Sequence, residues 1–95
     1  MIDVKIKRTV YGGNHKRAEV SKWFCRQPAP TCDSRLVFSE TQTDPLSVTA
    51  VVFHMYDQTV HADMHVERVP PESFESVLED LCTQGWVLEN KSVNL

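Results

Sequence analysis

Little in this sequence points directly to chemistry. Three glycines in 95 residues do not supply the spaced glycines of a phosphate loop or a dinucleotide fold. Gly12 and Gly13 stand side by side and read as a turn. There are three cysteines, an odd number, which suits a reducing compartment. Cys25 and Cys32 lack the two-residue gap of a zinc knuckle or a thioredoxin-like motif, and Cys82 reads as a small buried hydrophobe on a helix. No apolar run approaches the roughly 18 residues that cross a membrane, so no membrane partner is expected. The opening Met-Ile-Asp-Val-Lys-Ile-Lys alternates apolar and charged residues. A signal peptide needs an unbroken apolar stretch there, and a cytoplasmic location is the expectation.

What is present suits one folded domain over residues 1–95. Chains of this size bury roughly 60–70 % of their unfolded surface, and an apolar share of 41 % is too high for disorder. The net charge of −3 conceals a split: residues 1–35 carry eight basic and three acidic side chains, and residues 36–95 carry two basic and ten acidic. Such asymmetry marks either a basic docking surface or two halves that neutralise each other on folding.

Ile2, Val4 and Ile6 alternate with polar residues and predict a first strand. Tyr11-Gly-Gly-Asn14 predicts a turn. Residues 15–27 fit two descriptions. A helix gathers Val20, Trp23 and Phe24 on a stripe, whereas a strand puts Ala18, Val20 and Phe24 on one face; the strand is slightly preferred. Pro28–Ser34 is a loop, Arg35–Thr41 a short strand, and Thr43–Pro45 a turn. Leu46–Tyr56 and Thr59–Glu67 form a hairpin about Asp57-Gln58. Pro70-Pro71 opens a helix over 71–84, with Glu72 and Glu75 in its first turn and Phe74, Val77, Leu78 and Leu81 as its apolar stripe. Gly85 stops it, and Trp86–Val93 is a final strand.

The stretch Leu78-Glu-Asp-Leu-Cys-Thr-Gln-Gly-Trp-Val-Leu88 resembles the helix–Gly-Trp–strand pattern of a widespread family of small bacterial domains. That resemblance covers a minor part of the chain and implies no activity; a helix stop followed by an aromatic strand start produces the same pattern. The expected class is α+β: an antiparallel sheet of about five strands with one helix packed on one face, residues 15–27 being open as a second. The helix should cover Val51, Phe53, Ala62 and Met64.

Alternation in the hairpin sorts its side chains. Thr49, Val51, Phe53 and Met55 share a face with Val60, Ala62, Met64 and Val66. Val52, His54 and Tyr56 share the other with His61, Asp63, His65 and Glu67. A two-residue turn sets His54 opposite His61. His54, His61, Asp63 and His65 are therefore the candidate ligands for zinc or another divalent transition metal; the alternative is a solvated strand face. Lys16, Arg17, Lys22, Trp23 and Arg26 are the candidates for binding nucleic acid or a partner, basic groups following phosphates while a ring stacks on a base. The overall acidity weighs against nucleic acid.

The function expected on these grounds is a small non-enzymatic protein-interaction or regulatory module. A metal-binding domain is the first alternative and a nucleic-acid binder the second. One sheet with one covering helix offers no concave pocket for an enzyme unless dimerisation builds it. Self-association is expected because the histidine face also carries Val48, Ala50, Val52 and Tyr56.

Overall fold

The computed structural model describes residues 2–93. Strands β1 (Ile2–Gly12) and β2 (Lys16–Gln27) are followed by the short β3 (Arg35–Leu36). The hairpin comprises β4 (Leu46–His54) and β5 (Thr59–Met64); β6 (Glu67–Val69), helix α1 (Phe74–Thr83) and β7 (Val87–Val93) complete the chain. The strands form one sheet in the order β3-β4-β5-β1-β2-β7, with β6 also paired to β1.

The α+β class holds, with three corrections. There are seven strands rather than about five, and the sheet is mixed rather than antiparallel, because β6 runs parallel to β1 with Val10 opposite Glu67 and Gly12 opposite Val69. Residues 16–27 are strand throughout, so α1 is the one α-helix among the described residues. The strand expected over 35–41 ends at Leu36. Beyond it Gln42 organises a loop: its amide nitrogen donates to the carbonyls of Leu36 and Asp44, and its amide oxygen accepts from the Phe38 N–H.

The chain divides into two compact units, one of residues up to Ile6 with Trp23–His65, the other of Lys7–Lys22 with residues from Val66 on. The first has Val4, Ile6, Val48, Val60, Ala62 and Met64 as its buried apolar residues. Phe24 and Phe38 meet at 5.9 Å between ring centres and line, with Val4, Ile6, Pro30 and Leu36, a cavity of about 190 Å³.

In the second unit, the 3-and-4 spacing of α1 buries Phe74, Leu78 and Leu81. Pro70 and Pro71 start this segment as expected, through a 3₁₀ turn over Pro71–Ser73. Gly12 is needed for the packing, since a Cβ there would lie 2.7 Å from the Cβ of Phe74. The helix stops where expected. Gly85 adopts φ +97°, its N–H donates to the Cys82 carbonyl, and the Trp86 N–H donates to the Leu81 carbonyl. This is the double hydrogen bond of a Schellman stop. The Lys22 ammonium donates to the Gln84 carbonyl at 2.8 Å, placing a cation at the negative end of the helix dipole. Cys82 is exposed rather than buried, as are Cys25 and Cys32, and all three are free thiols.

The same unit holds an ion pair between a buried arginine and a half-buried glutamate. Ile2, Val4, Ile6, Arg8 and Val10 alternate along β1 with polar residues, and Arg8 is 7 % exposed. Its Nε and Nη2 donate to the two carboxylate oxygens of Glu67 at 2.9 and 2.8 Å. Its guanidinium lies 4.8 Å from the Trp86 ring centre. Planar two-pronged pairing and stacking on indole are what a guanidinium does and an ammonium does not.

Candidate functional site

The β4–β5 hairpin is the richest surface of the first unit. Its turn has four residues, Met55–Gln58, rather than two. Gln58 takes the left-handed conformation at φ 58°, and the Asp57 carboxylate accepts from both the N–H and the hydroxyl of Thr59. His54 therefore pairs with Thr59, and His61 with Val52. The expected direct pairing of His54 with His61 is off by two residues. An even slip leaves every side chain on its own face, so the two histidines remain together as diagonal neighbours. Their rings stack at 3.9 Å between centres and 23° between planes.

Other aromatic groups extend that pair. The Trp23 ring stands edge-on to His61 at 5.7 Å. Tyr56 stands edge-on to His54 at 5.7 Å, with its hydroxyl 3.4 Å from Nδ1. The Lys5 ammonium lies 6.0 Å from the Trp23 ring centre. Burial, then the neighbouring His54 and Lys5, hold the His61 imidazole below its ordinary range, with Asp57 and Asp63 pulling weakly the other way.

Two departures from simple alternation alter the expected faces. The register shifts between Val48 and Ala50, where Val48 pairs with Met64 and Ala50 with Asp63. Thr49 is the extra residue, and its hydroxyl donates to the Asp63 carbonyl. The bulge moves Val48 from the histidine face to the side of Met64, where it is 1 % exposed. Past Met64 the strand ends. His65 is exposed beyond it, its N–H donating to the Ser47 carbonyl, and Glu67 belongs to β6, where it meets Arg8 instead of the histidines.

Of the four proposed ligands, His54 and His61 are brought together, but through their ring faces. Asp63 lies on β5, close enough to act electrostatically on His61, and His65 lies off its end. Among the described residues no three His, Cys, Asp or Glu side chains are grouped to hold a metal ion. The five basic-segment candidates are dispersed. On β2, Lys16 and Lys22 share the parity of buried Ala18 and Val20, and Arg17 and Trp23 have the other. Lys16 donates to the Pro71 carbonyl, Lys22 to that of Gln84, and Arg17 to the Tyr11 hydroxyl and the Glu19 carboxylate. Arg26 has φ 57°, and its N–H donates to Asp3.

What sequence reasoning missed is the exposure of Phe53 and Met55, on the face assigned to the core; Val52 and Tyr56 lie exposed on the face expected to be uncovered. Phe53 was expected beneath the helix, yet it is 58 % exposed. Val52 is 55 %, Met55 82 % and Tyr56 85 % exposed. Ile2, Phe53, Met55 and Val60 line a shallow depression of about 330 Å³ with His54, Gln58 and Thr59. A signal for this was available: the hairpin is apolar on both faces near its turn, and one sheet face can be covered without the other. Comparison with protein-family models, with curated proteins and with solved structures gives no match.

Proposed function

We propose that the chain is a small non-enzymatic protein-interaction module that works through the tip of the β4–β5 hairpin. The observation that carries this reading is the exposure of Val52 and Tyr56 on the histidine face, and of Phe53 and Met55 on the opposite face, at the tip of one hairpin. Single exposed apolar residues are ordinary, whereas four within the five positions 52–56 mark the hairpin tip as a contact region. Aromatic residues and methionine are also the types enriched where proteins meet. The depression beside Phe53 is open and lacks the converging polar groups of a reaction site. The metal alternative has less support because only two of its four imidazole and carboxylate groups come together. The nucleic-acid alternative has less because Lys16, Arg17 and Lys22 are already bonded to groups of the protein itself.

Site-specific photocrosslinking in cells tests the reading. A photoreactive phenylalanine analogue at Tyr56 should give a discrete crosslinked protein band, and one at Glu79 on the exposed side of α1 should not. Phe53→Ser should remove the band at position 56. No band at position 56, or the same bands at both positions, would count against the module.

A further inference from the structure

We infer that β4 pairs edge to edge with β4 of a second copy of this chain, over Ala50–His54. The inference rests on the interaction reading above and names its partner. In the strand order, β4 lies between β3 and β5. But β3 is two residues long and reaches only Leu46 and Ser47. The preceding loop covers a little more, through hydrogen bonds of Asp33 and Ser34 with Val48 and the Cys32 thiol on the Thr49 carbonyl. From Ala50 to His54, no strand among the described residues lies on the outer side of β4. Alternate residues of a strand turn N–H and C=O towards each side. This edge therefore offers a row of backbone donors and acceptors about 17 Å long. The complement of such a row is an extended strand.

The side chains indicate which strand. Natural edges are usually blunted by charge, proline or a bulge. Ala50-Val-Val-Phe-His54 has no formal charge with histidine neutral, no proline and no glycine, and the β4 bulge lies before it, at Thr49. The window is closed at one end by the loop before β3 and at the other by the turn at Met55. Its middle residue is Val52. An antiparallel copy placed about a two-fold axis at Val52 sets Val51 opposite Phe53 twice, Ala50 opposite His54 twice, and Val52 opposite itself. Valine facing phenylalanine is a favourable cross-strand pair, and no like charges face each other at neutral pH. The contact is self-complementary, as a two-fold interface has to be. It also covers Val52 and Phe53, whose exposure would otherwise be unexplained.

Sedimentation equilibrium on the parent, Val52→Lys and Val52→Glu tests the pairing, with far-UV circular dichroism to check folding. The parent should show a monomer–dimer equilibrium. Each variant alone should raise the dissociation constant at least tenfold, because two like charges would meet at the axis. An equimolar mixture of the two should restore the dimer. Amide exchange on the parent needs no substitution and should slow at Ala50–His54 as concentration rises. A monomeric parent at millimolar concentration would overturn the pairing. So would variants that dimerise like the parent, a mixture that stays monomeric, or exchange at Ala50–His54 that ignores concentration. A monomeric parent that still crosslinks at position 56 to a different protein would remove the second copy and keep the interaction module. A monomer with no crosslink would remove both.

Discussion

The two ends of the strand order differ in how they are protected. β7 borders β2 at one end and carries Glu89, Asn90 and Lys91 along its middle. Its register with β2 is interrupted by a bulge between the partners of Glu19 and Val20. Lys91 bonds Glu75 of α1, and Glu89 accepts from the buried Ser21 hydroxyl. Charge and a bulge are the ordinary defences of a sheet edge. At the other end, the outer side of β4 has neither between Ala50 and His54. An edge that must stay single is defended, and an edge left undefended is explained most economically by a strand that pairs with it.

The contrast extends to what holds each region, and the largest expected effect tests that. Arg8→Ala should destabilise the protein by about 2 kcal/mol, because it leaves the half-buried Glu67 carboxylate without its two charge-assisted hydrogen bonds. Phe53→Ser, at an exposed position, should fall within about 0.5 kcal/mol for the monomer. Urea midpoints measured on dilute samples would decide. Equal losses would mean that the ion pair is not the anchor it looks like.

The next test exchanges the character of the two edges. Replacing Glu89 and Lys91 of β7 together with valine should introduce concentration-dependent association that the parent's β7 does not support. Loss of the exposed Lys91–Glu75 pair should cost no more than about 1 kcal/mol. Combined with Val52→Lys, the double replacement should give a dimer whose protected amides lie in β7. If it stays monomeric on a velocity run, charge is not what guards that edge.

The smallest effect concerns the histidine stack beside the open edge. Burial, His54 and Lys5 depress the folded-state value of His61. A depressed histidine contributes stability that is present above its unfolded value, near 6.5, and is lost as the pH falls through that value to the folded one. Urea midpoints should therefore fall on acidification below about pH 6.5, and His61→Phe should flatten that slope. A midpoint that rises on acidification, or a slope unchanged in the variant, would contradict the assignment.

Much of the fold could be read in the sequence wherever a period ran unbroken. Alternation located β1, β4 and β5, and the 3-and-4 spacing of Phe74, Leu78 and Leu81 located α1. The stack of His54 on His61 was legible as a shared face because the turn error was even. The rest was hidden by single residues that reset the count. Thr49 bulges and sends Val48 into the core. His65 and Val66 end the strand and turn Glu67 towards Arg8. The burial of Arg8 left one trace, its place after Ile2, Val4 and Ile6 on the apolar side of β1. Composition left it between a basic docking surface and a half neutralised on folding, and could not name its partner, since pairing across 59 positions has no local signature.

That long reach gives the uneven charge a meaning during synthesis. β1 and β2 leave the ribosome before β5 and β6, both of which pair with β1 in the finished sheet. At roughly 5–20 residues per second, Arg8 waits about 3–12 s for Glu67. In that interval the emerging chain shows the uncovered apolar side of its first hairpin. Residues 1–35 also carry eight of the ten basic side chains. The acidic residues arrive together with β5, β6 and α1, Glu67 among them, so charge and backbone partners reach β1 at the same time.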